Sequence, residues 1–222
     1  MNSRLRRDNT AQSAAFKNQQ DKVRITMSNI LIINAAKEFG HSGGKLNDLM
    51  AQVARETLSR SGHSVIMTRV DKGYDPEEEV GKIIWADAVI YQMPAWWMEA
   101  PWILKKYVDE VFTAGFEKLY KSDGRSSAAP TKNYGKGGML QGKHYMISVT
   151  WNAPVEAFTD PSEFFEGKGV DAVYFPFHKA NQFIGMSPLP TFMCNDVMKN
   201  PQVEQDAGRY RDHLNQAFPR TA

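Results

Sequence analysis

Three short stretches carry the residues best suited to chemistry. The first is "KEFGHSGGKLND" (37–48), which sets Gly40, Gly43 and Gly44 among His41, Ser42, Lys45, Leu46, Asn47 and Asp48. Glycines permit tight turns and close backbone approach. Exposed N–H groups at the start of a following helix make an anion site, helped by the helix dipole. The stretch contains neither G-x-G-x-x-G nor G-x-x-x-x-G-K-[ST], so it is neither the usual dinucleotide fingerprint nor a Walker A loop. On spacing alone it reads equally well as a phosphate cradle or as an ordinary strand-to-helix turn.

The second is "QMPAWWMEAP" (92–101), where Pro94 and Ala95 lead into the adjacent Trp96 and Trp97. Two neighbouring indoles can form a platform for a flat ring. They can equally be a hydrophobic plug or a subunit contact, since aromatics are enriched at interfaces. The third is "VTWNAP" (149–154), in which Thr150, Trp151 and Asn152 offer donors ahead of Ala153. It too can be a simple turn.

These stretches need a frame, and the hydrophobic pattern supplies one. "NILIINAA" (29–36), "HSVIMTRV" (63–70), "DAVIYQMP" (87–94) and "KHYMISVTWN" (143–152) are short apolar runs that predict strands, and "LPTFMCNDV" (189–197) predicts a fifth. "KLNDLMAQVARETLSRSG" has helical spacing and a stop at Gly62. "DPEEEVGKIIWA" (75–86) has a cap at Asp75, Pro76 at its first position and an acidic first turn. "PWILKKYVDEVF" (101–112) predicts a helix whose apolar face includes Trp102, Ile103, Leu104, Tyr107, Val108, Val111 and Phe112. "EQDAGRYRDHLNQAF" (204–218) predicts the last helix. The polar, Gly-, Ser- and Lys-rich segment 114–142 predicts a long lid or binding loop, and the aromatic stretches "SEFFEGKG" and "AVYFPFHKANQFIG" read as irregular.

Strands alternating with helices imply an α/β fold: a flavodoxin-like, doubly wound parallel five-stranded sheet of order 2-1-3-4-5 flanked by helices. In such sheets ligands sit beyond the carboxyl ends of the strands, at the switch point. That is where the loops after strands one, three and four converge. An anion site, an aromatic wall and amide donors together suit the phosphate, ring and pyrimidine edge of a flavin. Tyr134, His178 and Glu156 are possible proton donors to a reduced substrate, and none stands out.

The composition narrows the field. The 222 residues, 42% hydrophobic and 23% charged, are ordinary for a globular chain. The net charge is +2, but residues 1–26 alone carry +4, leaving about −2 on residues 27–222. A near-neutral body does not suit nucleic-acid binding. The basic head reads as a solvated extension. It lacks the apolar core of a secretory signal, and no apolar run is long enough for an integral membrane span. One cysteine, Cys194, forms no intrachain disulfide and fits a reducing compartment, and no His/Cys spacing suggests a metal.

The blocks "MSNILIIN", "YQMPAWWMEAPWILKKYVDEVF", "VTWNAPVEAF" and "VYFPFHKANQFIGM" resemble the flavodoxin-like NAD(P)H:quinone oxidoreductase family, from Met27 to about Phe218. The resemblance implies a cytoplasmic homodimer with FAD sites near the subunit interface. It implies hydride transfer from NADPH or NADH to flavin N5 and then to a quinone, in two-electron ping-pong steps. It implies that His41 to Asp48 (His41, Ser42, Lys45, Leu46, Asn47 and Asp48 among them) cradle the ribityl and diphosphate. Pro94, Ala95, Trp96 and Trp97 would pack along the isoalloxazine. Thr150, Trp151, Asn152 and Ala153 would address its N1/O2 and N5 edge, with Tyr134 near the ring. The wider family carries Thr-Thr-Gly-Gly where this chain has "TWNA", so Trp151 is expected to narrow the quinone pocket. An FMN electron-transfer flavodoxin and a non-enzymatic binding module using the tryptophan patch are the other readings.

Overall fold

The apolar runs alternate between two faces, and that alternation builds the fold. The computed structural model of the protein describes residues 28–219; the basic head at 1–26 lies outside them. In β1 (Asn29–Asn34), Ile30 and Ile32 enter one core and Leu31 and Ile33 enter another, all four fully buried. A strand covered on both faces is the mark of a parallel sheet between helical layers.

The elements follow as α1 (Lys45–Arg60), β2 (Ser64–Arg69), α2 (Pro76–Trp85), β3 (Ala88–Pro94), α3 (Trp102–Ala114), β4 (His144–Thr150), α4 (Glu156–Thr159), α5 (Val170–Val173), α6 (Phe175–Phe183), β5 (Ser187–Pro188), β6 (Phe192–Cys194) and α7 (Val203–Ala217). The sheet is parallel throughout, in the order β2-β1-β3-β4-β5, with β6 also paired to β4. This is the flavodoxin-like order. The smaller core, under α1 and α7, gathers Ile30, Ile32, Ile90, Met146, Leu58 and Tyr210. The larger, under α2, α3 and α6, gathers Leu31, Ile33, Tyr91, Ile147, Tyr107 and Phe177.

Local signals explain the helix ends. Asp75 accepts a hydrogen bond from Glu78 N–H at 3.0 Å, and Pro76 occupies the first turn of α2. Gly44 precedes α1 with φ +69°, and an added Cβ there would meet the Lys37 backbone at 3.3 Å.

Four expectations are corrected. The fifth strand is two short pieces, because Pro188 and Pro190 have no N–H for the ladder; only Leu189 between them donates, to Tyr145 O at 2.7 Å. The stretch read as irregular holds α5 and α6, with Pro176 in the first turn of α6 rather than breaking a helix. Trp102 is 55% exposed, not core. It shares the outer face of α3 with Lys105, Lys106 and Asp109, whereas Ile103, Leu104, Tyr107, Val108 and Val111 face inward. The 114–142 segment is irregular but not a free lid. Leu119 and Leu140 are buried in the larger core, and a Cβ on Gly138 would lie 2.3 Å from Gly185 N.

Among the described residues, no helix is long and apolar enough to cross a membrane, and no cluster of His, Cys, Asp or Glu could hold a metal ion.

Candidate functional site

A cleft of about 550 Å³ opens at the carboxyl ends of the strands, where β1 and β3 send their connections to opposite sides. Residues 39–47 form one side, Ala95 to Trp97 the wall, Thr150 and Asn152 the floor, and Val197 and Met198 the far end.

The glycine loop is shaped as a receptor. Phe39 and Ser42 exchange backbone hydrogen bonds at 2.9 Å, turning the chain through Gly40 and His41. The next five N–H groups, of Gly43, Gly44, Lys45, Leu46 and Asn47, have no acceptor among the described residues, and α1 has no side-chain cap. Open donors at a helix start form a concave anion site. His41, Ser42, Lys45 and Leu46 line the cleft. Asn47 lines it too, but its side chain is buried against the sheet. Asp48 points away; it accepts from Asn34 Nδ2 and Arg69, both at 2.8 Å. Below the loop, Lys37 pairs with Asp71 at 2.5 Å, and its hydrogen bond holds the Asp71 carboxyl below the ordinary carboxylate range.

The wall is a strained turn. Trp96 and Glu99 exchange hydrogen bonds at 3.1 Å around Trp97 and Met98, whose φ values are +50° and +61°. Such paired left-handed residues make a type I′ turn, normally Asn-Gly. A bulky residue there costs on the order of 1–2 kcal/mol. Trp96 packs on Phe39 with ring centroids 4.7 Å apart, and Trp97 is 91% exposed. Pro94 is buried at the end of β3, and Ala95 N–H donates to Thr150 O at 2.9 Å. A second cleft of about 650 Å³ lies against the same tryptophans, between them and the outer face of α3.

The loop after β4 differs from expectation. Trp151 is buried among Phe158, Phe165 and Tyr174, with ring centroids 4.9–5.9 Å away, so it does not narrow the cleft. Thr150 and Trp151 are successive residues at a strand end and so face opposite sides. Thr150 takes the cleft side, and its hydroxyl has no partner among the described residues. The Asn152 carboxamide is engaged by Met198 and Lys199 N–H, at 3.1 and 3.2 Å. Ala153 does not line the cleft; its carbonyl accepts from Asn195 Nδ2 and Asp196 N–H, both at 3.1 Å.

Tyr134 is not brought to the cleft within this chain. It is 70% exposed, packs on Phe183 at 5.8 Å and lies under Arg125. His178 is buried on α6, with Nδ1 2.7 Å from the Tyr145 hydroxyl and Nε2 3.3 Å from Asp171. Glu156 is exposed at the start of α4 and lies outside the cleft. Phe39, Val197 and Met198 were not identified from sequence. The last two follow β6, and the rule that ligands gather beyond strand ends, applied to the fifth strand as well, would have found them.

Sheet order, switch-point cleft and glycine loop define a flavodoxin-like protein. A family model described as flavodoxin-like fold matches residues 28–216, and the chain belongs to that family. It is 57% identical over 190 residues to "NADPH:quinone oxidoreductase MdaB" of Haemophilus influenzae, covering 86% of this chain and 99% of that protein. An uncharacterized protein of Schizosaccharomyces pombe is 59% identical over 189 residues, covering 85% and 96%. Among solved structures, the general stress protein 14 of Treponema denticola in complex with FMN superposes with a TM-score of 0.62 at 21% identity, covering 85% and 99%. An NADPH-quinone reductase from P. pentosaceus does so at 0.59 and 20%, covering 87% and 99%. At these identities the two structures speak to the fold alone.

Proposed function

We propose that this chain is a flavin-dependent NAD(P)H:quinone oxidoreductase that binds FAD. One observation carries the reading: five consecutive open N–H groups, from Gly43 through the left-handed Gly44 to Asn47, facing an aromatic wall across one cleft. The donor set fits a phosphate ester joined to a flat ring. The 57% identity to a relative named as an NADPH:quinone oxidoreductase, over nearly all of that protein, supports the substrate class.

The residues divide the work. Gly43 to Asn47 hold the phosphates through backbone N–H groups. Phe39, Trp96 and Trp97 pack against the ring and keep water from it. The Thr150 hydroxyl and Asn152 N–H, which have no acceptor among the described residues, are donors for the ring's polar edge, where preorganised dipoles stabilise negative charge. Val197 and Met198 add an apolar wall on the connection to α7, the helix packed beside α1, which favours FAD, with its adenosine, over FMN. When bound, the flavin supplies hydride chemistry between a nicotinamide and a quinone. His41 and Lys45 are the titratable groups lining the cleft.

A homodimer belongs to the same reading. Phe39 at 51%, Trp97 at 91% and Trp102 at 55% exposure surround the second cleft. Exposed aromatic surface of this kind marks an interaction site. Tyr134 would then reach a flavin from a partner subunit.

Steady-state kinetics with NADPH and a quinone test the activity. Parallel double-reciprocal lines and FAD released on heating are expected. A colourless protein that does not oxidise NADPH overturns the proposal, and released FMN overturns its FAD part.

A further inference from the structure

A polar row crosses the sheet directly beneath the glycine loop. On the face covered by α1, the first row runs Ile30, Ala88 and His144, and the second, Ile32, Ile90 and Met146, is wholly apolar. The next row on that face is Asn34, Gln92 and Ser148, adjacent in register on β1, β3 and β4 and each at most 3% exposed. Buried amides are costly unless every group is paired. These are paired, and chiefly to one another and to Asn47, in the first turn of α1.

The pairing has a fixed direction. Asn47 Nδ2 donates to the Gln92 backbone carbonyl at 3.2 Å and to Asn34 Oδ1 at 3.1 Å. A carbonyl only accepts, so the Asn47 carboxamide cannot be reversed. Its Oδ1 therefore faces Gln92 Nε2, which donates at 3.0 Å. That leaves Gln92 Oε1 to accept from Ser148 Oγ at 2.7 Å. Gln92 contributes two contacts to the Asn47 side chain, one from its backbone carbonyl and one from its carboxamide, and among the described residues it alone links that side chain to β4 by hydrogen bonds. Asn47 is also the last of the five residues with open N–H groups. Its side chain anchors downward while its backbone faces the cleft.

We propose that Gln92 is a positioning residue for phosphate binding. It is absent from the cleft lining. It seats the first turn of α1 on the sheet, and so sets where the Gly43–Asn47 donors converge. An apolar side chain of similar size would fill the space but release Asn47 Oδ1 and Ser148 Oγ, letting the turn shift while the aromatic wall stays in place. The proposal rests on the flavin reading.

The test compares two ligands on one protein, FAD and riboflavin, which shares the ring but carries no phosphate. Affinities are read from flavin fluorescence on the unmodified chain and on Gln92→Leu, each freed of bound flavin. Gln92→Leu is expected to weaken FAD binding about tenfold, the scale of a lost buried hydrogen bond. Riboflavin affinity is expected to stay within about twofold, because its ring meets the aromatic wall and the Thr150–Asn152 edge and it has no phosphate for the Gly43–Asn47 donors. Ser148→Ala removes one hydroxyl from the far end of the same row. It should give the same split at about threefold, and decides the matter where Gln92→Leu does not fold. Unchanged FAD affinity, or equal losses for FAD and riboflavin, overturns the positioning role. Failure of the unmodified chain to bind either compound overturns the flavin reading and the proposal with it, and differs from the other outcomes in needing no variant.

Discussion

The loops after β1 and β4 both look donor-rich in sequence, yet they serve opposite ends. The glycine loop leaves five successive N–H groups open to the cleft. The loop after β4 spends most of its polar groups within the protein. Trp151 N–H donates to Cys194 O at 2.9 Å, Trp151 O accepts from Val197, the Asn152 carboxamide holds Met198 and Lys199, and Ala153 O holds Asn195 and Asp196. One loop has the open donors of the proposed receptor. The other is chiefly a brace that sets the far wall of the same cleft, and the Thr150 hydroxyl and Asn152 Nδ2 are its side-chain donors without an acceptor among the described residues. The difference lies in what stands opposite: α1 offers its own unpaired start to the first loop, whereas the connection leaving β6 lies against the second and takes up its groups.

The receptor can be broken at Gly44. Gly44→Val must place a β-branched residue at φ +69° against the Lys37 backbone. A loss of at least about 2 kcal/mol in stability is expected, with the purified protein retaining little flavin. Chemical denaturation and flavin content measure both, and a stable variant with full flavin would deny the loop its role. The brace responds differently. Asn152→Ala removes the acceptor of two backbone N–H groups and should cost about 1–2 kcal/mol in denaturation, with a smaller change in flavin affinity. If affinity falls more than stability, Asn152 is a ligand contact rather than a brace.

The strained wall separates binding from stability. Trp97→Gly relieves a left-handed tryptophan that is 91% exposed. It should raise stability by up to about 1 kcal/mol while weakening flavin retention. Lower stability with unchanged retention would assign Trp97 to packing. The smallest expected effect is at Cys194, beside the brace, whose thiol burial pushes up to about 12. A raised thiol pKa keeps the unreactive protonated form throughout the range below it. Alkylation of the folded protein should therefore stay slow from neutral pH to about 9, and become fast only on unfolding. Rapid reaction in the native state would show that the region around β6 opens.

Much of the frame was legible because single residues dictate it. The apolar runs of β1, β3 and β4 required cover on both faces, and Asp75 with Pro76 marked the start of α2. The glycine, tryptophan and Thr150 loops could be placed at one edge from strand order alone. Other features depend on partners distant in sequence. Trp151 looked like a pocket residue, but its direction follows from Thr150 taking the cleft side. Trp102 looked apolar, but one helical position decides whether it faces the core or shares a face with Lys105 and Lys106. Asn47 and Asn152 looked like ligand donors. The Asn47 side chain is taken up by Gln92 and Asn34, and the Asn152 carbonyl oxygen by the 198–199 backbone, pairings that only the folded chain creates. Val197 and Met198 lie beyond a strand that two prolines divide, which hid the wall they form.

The central claim is that this cleft holds a flavin which NAD(P)H reduces and a quinone reoxidises. An anaerobic titration of the purified protein tests it most directly. One equivalent of NADPH is expected to bleach the bound flavin, and one equivalent of quinone to restore its visible absorbance, without a semiquinone spectrum in between. A bound flavin left unbleached by NADPH and NADH, or one restored only through a long-lived one-electron intermediate, would contradict it.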